Sequence, residues 1–284
     1  MIDEAAKSSP APAEPAPAIV SVAELEARGR RRRRREGGLV LGAQVLIAIA
    51  LIASMYALNA TSGKLIMPRP DDVVAQSIRL WSDGTMLRAL GESLTVLLLG
   101  YLLSAVTGIL GGALLGGFHY LSRVLDPYVN ALNSTPGAAF IPLIIVWFGL
   151  YTEAKVVLVW NAAFFPILIN TAAGIANADR DLVEMGRAFG ARRRELFWNV
   201  MLPDALPSIL SGLRIGAAIS TVGTVIAELT MAQSGLGGLL AQAGNRFQMD
   251  KYFAVVIVLM ALGTAITALL RYAERRIGAW RVTT

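Results

Sequence analysis

The segment "DLVEMGRAFGARRRELFWNVMLPDALPSIL", Asp181 to Leu210, is an arginine-rich island between two hydrophobic runs. Leu182, Met185 and Phe189 stand at i, i+3 and i+7, which predicts a short amphipathic helix, and Gly190 supplies the left-handed residue that ends it. Beyond that turn, Leu196, Phe197, Val200 and Met201 form a second apolar stripe headed by Arg192, Arg193 and Arg194. Pro203 is expected to close this second helix, with Asp204 capping the next one and Pro207 in its first turn. Small and basic residues gathered about one sharp turn predict a protruding knob. The competing reading is an interfacial hairpin lying on anionic lipid.

The flanks say what the island interrupts. The chain of 284 residues is 55% hydrophobic and only 16% charged, against roughly a quarter charged in a soluble domain, so it has a membrane protein's balance. With no cysteine and the single His119, the sequence has no disulfides, no thiol nucleophile and no histidine cluster for a metal. The net charge of +6 raises nucleic-acid binding, but the basic residues flank apolar segments and report membrane orientation instead. Residues 1–38, Ala/Pro-rich and then "RGRRRRRREGG", predict a disordered basic tail. The uncharged run 39–58 has the length of a transmembrane helix and exceeds the usual h-region of a cleaved signal peptide.

Five further spans are expected near residues 87–118, 124–150, 154–176, 205–232 and 252–271, giving an all-α integral membrane protein of six transmembrane helices. With the arginine run inside, the inner segments hold eighteen of the 26 Lys and Arg and the outer ones seven, which predicts both termini in the cytoplasm. Residues 59–86 are then a periplasmic segment, 177–204 a cytoplasmic loop and 272–284 a cytoplasmic tail. In the periplasmic segment Val74, Ile78 and Trp81 share one helix face, expected either on the membrane surface or packed on the spans.

The island also reads Glu184-Met185-Gly186, three residues, Gly190, nine residues, Val200, one residue, Leu202-Pro203. This resembles the EAA signature of bacterial ABC importer permeases, E-A-A, x3, G, x9, I, x, L-P, with Met185, Gly186 and Val200 as departures. "IPLIIVWFGL", "FFPILINTAAGI", "LPSILSGLRIGAA" and "VIAELTMAQSGLGGLL" look like the nitrate, sulfonate and taurine branch of that family, so the resemblance covers about 87–271. It implies a type-I permease fold in the inner membrane. It also implies a second copy of the permease, two cytoplasmic ATPase subunits and a periplasmic or lipid-anchored substrate-binding protein. The ATPase-coupling residues it implies are Glu184, Met185, Gly186, Gly190, Ala191, Val200, Leu202 and Pro203. ATP and Mg belong to the partner, and no cofactor is expected on this chain. That agrees with its one Gly-Lys pair, Gly63-Lys64, which has Leu58 where a P-loop needs its first glycine.

Within the spans, Ser104, Gly108, Gly112 and Gly116 form a small-residue packing face. Gly212, Gly216, Ser220, Thr224 and Glu228 recur every fourth residue and end in an acid, a costly group inside a membrane without a partner or water. Two readings stand for it: Ser220, Thr224 and Glu228 line a translocation path or outer gate, or Glu228 bonds to backbone in the "QSGLGG" turn. Pro136-Gly137 breaks the third span, with Asn133, Ser134 and Thr135 placed to satisfy freed carbonyls, and Asn133 and Ser134 join the candidate path. An ion-driven secondary transporter is the alternative, but it calls for inverted repeats that the sequence lacks. An intramembrane enzyme calls for converging catalytic groups.

Overall fold

The computed structural model describes residues 42–61, 63, 66–231 and 234–278, with side chains to residue 272. The expected disordered tail, 1–38, lies outside the described residues. The chain divides into two compact units, residues 1–54 and 55–284. In the first, residues 42–54 are helical and open α1 (Gly42–Thr61), which is uncharged and long enough to span a bilayer.

The second unit carries α2 (Pro70–Ser82), α3 (Thr85–Gly117), α4 (His119–Ser134), a 3₁₀ turn (Gly137–Phe140), α5 (Ile141–Phe148) and α6 (Thr152–Ala176). It continues with α7 (Arg180–Ala188), α8 (Arg193–Leu196), a π turn (Phe197–Met201), α9 (Leu202–Thr230), α10 (Gly235–Asn245) and α11 (Met249–Gly278). The expected C-terminal tail is therefore helical as far as Gly278. Asp83 starts α3 by accepting from the Thr85 N–H at 2.9 Å, and this bond holds its carboxyl below the usual carboxylate range.

Three long helices, α3, α6 and α9, form the centre, and small residues let them approach. Cβ atoms built on Gly108, Gly112 and Gly116 of α3 would fall 2.9 Å from Ile167, 2.5 Å from the Leu168 carbonyl and 2.7 Å from the Ala172 carbonyl of α6. The Ser104 hydroxyl joins the same contact by donating to the Trp160 carbonyl at 3.0 Å. From the other side, Cβ atoms at Gly212 and Gly216 of α9 would meet Asn170 at 2.8 Å and Ile167 at 2.7 Å. Without a hydrophobic drive between helices in lipid, such close van der Waals contact is what associates them. Leucine at Gly112 is expected to cost roughly 1–3 kcal/mol or more by overpacking. It should lower the thermal unfolding point in detergent, whereas Gly91→Leu, where a Cβ meets nothing within 4 Å, should not.

Among the described residues, five helices can by length and composition cross a membrane, or six when one bent pair counts as a span. That pair lies where the third span is expected, and its break falls at Pro136 as the sequence predicts. His119–Ser134 and Gly137–Phe148 meet there at 90°. Thr135 is extended because Pro136 follows it, and Pro136 has no N–H to continue the ladder. The Thr135 hydroxyl donates to the Ala131 carbonyl at 2.9 Å, taking up one freed acceptor.

Two expectations change. The helix starting at Arg193 does not end at Pro203 but runs unbroken to Thr230. At the π turn the Leu202 N–H reaches back five residues to the Phe197 carbonyl, so the register slips next to the residue that lacks a donor. Asp204 accordingly lies inside the rod. In α2, Val73 and Leu80 are buried in a cluster with Met86, Leu236, Leu240 and Val255, while the predicted face of Val74, Ile78 and Trp81 stays exposed. The helix is packed on the bundle by the neighbouring face.

Candidate functional site

Two features stand at opposite ends of the α8–α9 rod. The first is an elbow made by α7 and the rod's opening turns. Asp179 caps α7 by accepting from the Asp181 N–H at 2.9 Å, and Asp204 accepts from the Asp179 N–H at 3.0 Å, which ties the elbow's entrance to the rod. Gly190, at φ +79°, ends α7. Its N–H donates to the Arg187 carbonyl at 2.9 Å and the Ala191 N–H to the Gly186 carbonyl at 3.0 Å, the two bonds of a Schellman ending. Arg192 follows, its N–H held by the Glu195 carboxylate at 2.7 Å.

Gly186 is small because buried Leu196 lies against it: a Cβ there would sit 2.5 Å from the leucine Cδ2. The structure gathers all eight predicted coupling residues in this elbow, with Glu184, Met185 and Gly186 on α7, Gly190 and Ala191 at the turn, and Val200, Leu202 and Pro203 in the rod. A groove of about 370 Å³ runs between the two arms past Met185, Gly186, Phe189, Val200 and Pro203. The apolar face of α7 is bare: Leu182, Met185 and Phe189 are 42%, 55% and 87% exposed.

The second feature is a buried carboxylate. Glu228, 1% exposed near the end of α9, accepts from the Ser93 hydroxyl at 2.8 and 2.9 Å and from the Gly237 N–H at 2.8 Å. Ser93 Oγ in turn accepts from the Leu236 N–H, and Glu92 accepts from the Gly235 N–H, each at 2.8 Å. Three successive amides at the start of α10 are thus held by two neighbouring residues of α3 and one of α9. Buried Lys155 of α6 donates to the Ser234 hydroxyl next to them. Gly235, at φ +80°, is required twice, since its backbone is left-handed and a Cβ would lie 2.0 Å from Glu228 Oε1.

Of the candidate path residues, Ser220, Thr224 and Glu228 are buried within the chain, and Thr224 donates to the Ser220 carbonyl at 2.8 Å. Asn133 and Ser134 are exposed at the α4–α5 break. Asn133 lines a cavity of about 220 Å³ there with Thr135, Asn161, Phe165, Val222 and Ile226. The structure therefore does not bring the five together. Glu92, Ser93 and Lys155 were absent from the sequence-based site, although a signal existed: Glu92, Lys155 and Glu228 are ionisable residues near the same end of three different spans.

The family pattern described as binding-protein-dependent transport system inner membrane component matches residues 104–279, which takes in the elbow, the break and Glu228. The chain belongs to this family of ABC transporter permeases. It is 33% identical over 244 residues to a putative aliphatic sulfonates transport permease protein of Bacillus subtilis, covering 86% of this chain and 87% of that one. Against the taurine transport system permease protein of Escherichia coli the identity is 30%, over 76% of this chain and 80% of the other. A chain of the MetNI methionine ABC transporter, solved in an inward-facing conformation, has the same fold with a TM-score of 0.59 at 22% identity, covering 66% of this chain and 93% of that one. The permease is thus a multi-pass subunit of an ABC importer. Its family consists of transport subunits, not catalytic enzymes, and works with an ATPase and a substrate-binding protein.

Proposed function

We propose that this permease moves a small anionic solute, a sulfonate, taurine, nitrate or related organic acid, inward across a bacterial inner membrane. Two copies form the pathway, both termini face the cytoplasm, and the elbow docks into two ATPase subunits that bind ATP and Mg. The observation that carries the coupling role is the bare face of α7, a short helix whose entrance and exit are fixed by hydrogen bonds while its apolar side is uncovered. Rigid mounting and an exposed apolar anchor are what a docking knob needs. The excess of basic residues on that side supports the orientation.

In this reading nucleotide-driven closure of the ATPase pair moves the elbow and shifts the permease between inward- and outward-open states, which requires the ATPase pair to bind the two with different affinity. The solute passes near the α4–α5 break, where Asn133 and Asn161 offer polar groups. Glu228 serves the outer gate by holding α10 in place. The test is co-expression with the cognate ATPase. The intact permease should co-purify with it, and Gly190→Trp or deletion of 184–203 should lose it; retention of the ATPase by both variants would refute the coupling role. For the solute, a thermal-shift screen of the partner binding protein against sulfonates, nitrate and aromatic acids should give a stabilised melt with an anion. A melt raised only by uncharged compounds would refute the anionic class.

A further inference from the structure

Outside the elbow's docking face, the opening turns of the rod and the last turns of α3 enclose a second groove of about 640 Å³, with Leu110, Leu114, Phe118, Phe197 and Trp198 as walls. Close approach of the two helices shapes it, because a Cβ at Gly117 would fall 2.9 Å from the Phe197 ring. The groove is apolar except at its rim, where Arg193 and Arg194 stand. Arg193 places its guanidinium 5.8 Å from the Phe118 ring centroid, which fixes the charge at the groove's edge. Among the described residues neither arginine is ion-paired.

The apolar surface continues away from that charged rim. Leu99, Leu103, Val106, Leu110 and Leu114 are exposed at three- and four-residue intervals, one stripe along α3 that leads out of the groove. From Leu99 to Leu114 it measures about 22 Å at 1.5 Å per residue, longer than the roughly 15 Å of hydrocarbon in one leaflet. Trp198, half exposed at the level where the span α3 ends, has the place of an interfacial tryptophan. Two unpaired guanidinium groups above an acyl-length apolar channel match one amphiphile in charge and shape: a phosphate headgroup with fatty chains below it.

We propose that this groove is a binding site for an anionic phospholipid, with Arg193 and Arg194 on the phosphate and the acyl chains along the stripe of α3. The lipid bridges α3 and the base of the rod, so it sets the depth at which the elbow emerges from the membrane. At about 1 kcal/mol for each cation, two arginines favour an anionic over a zwitterionic headgroup by roughly thirtyfold.

The test uses the full-length permease in bilayers and reads Trp198 as the difference in fluorescence between wild type and Trp198→Phe. Phosphatidylglycerol or phosphatidylcholine with brominated acyl chains is added as the quencher. Half-maximal quenching of Trp198 is expected at about thirtyfold lower mole fraction of the brominated phosphatidylglycerol. The gap should close in R193Q/R194Q and persist in R193K/R194K. In wild-type protein it should narrow at high salt, a comparison that needs no variant at the arginines. Equal quenching by both lipids, a gap that survives both R193Q/R194Q and salt, or no quenching by either because protein covers the groove would overturn the proposal. Because the measurement uses neither solute nor ATPase, its outcome is separate from that of the transport reading.

Discussion

Glutamate at both Met185 and Phe189 is expected to strip the ATPase from the purified transporter while leaving the permease itself intact. Both side chains are more than half exposed in the chain alone, so the substitutions remove little internal packing, and surface changes of this kind stay within about 0.5 kcal/mol. In the proposed complex with the ATPase the same two positions would be the buried anchor of the contact. Truncating such an anchor typically costs 2 kcal/mol or more, and placing two carboxylates there adds their desolvation. The combined loss is at least a hundredfold in affinity, enough to clear the ATPase during affinity purification. Pull-down of a tagged permease, read beside its thermal unfolding in detergent, checks both halves. A complex that survives the double substitution would show that α7 docks by another face.

Glu228→Ala is expected to have the largest effect on stability, about 3–5 kcal/mol. Removing the carboxylate orphans the Ser93 hydroxyl and the Gly237 N–H in a buried site, each at a cost of roughly 1–3 kcal/mol, and leaves a void as well. Glu228→Gln keeps the volume and one carbonyl acceptor, so its cost should be about half. Gly235→Ala attacks the same contact from the other side, forcing a Cβ onto Glu228 Oε1 and a side chain into left-handed backbone. Hydrogen exchange over residues 234–245 should rise sharply in Glu228→Ala and Gly235→Ala and only modestly in Glu228→Gln, with transport falling in the same order. Unchanged protection of α10 in Glu228→Ala would mean that other contacts hold that helix.

What could be read in advance was what depends on neighbours in the chain. The Gly190 turn, the α7 stripe, the Pro136 break and the small face from Ser104 to Gly116 are all set within a few residues, and each occurs where the spacing puts it. The failures have a common cause. Pro203 reads as a helix end, yet the π turn before it lets the helix continue, a rearrangement with no signature in residue type. In α2 two apolar faces lie side by side, and periodicity cannot say whether Val73 and Leu80 or Val74, Ile78 and Trp81 turn inward. The stripe from Gly212 to Glu228 is equally suited to a pore wall and to a helix contact, and its burial against α6 and α3 decides its packing here. The Glu228 site was half legible: its bond to the Gly237 N–H, nine residues on, is the backbone contact expected in the "QSGLGG" turn, whereas Ser93, 135 positions away on α3, is beyond the reach of any local pattern.

The unbroken rod from Arg193 to Thr230 carries the elbow at its foot and the Glu228 contact near its head. At 1.5 Å per residue the two lie about 50 Å apart along one axis, so the rod is a lever arm. Tilting it by five degrees about its foot sweeps the head through about 4 Å, farther than the length of the hydrogen bonds that clasp α10. If the elbow is the coupling point proposed above, a small angular stroke delivered there would be enough to unlatch α10 at the far end of the rod.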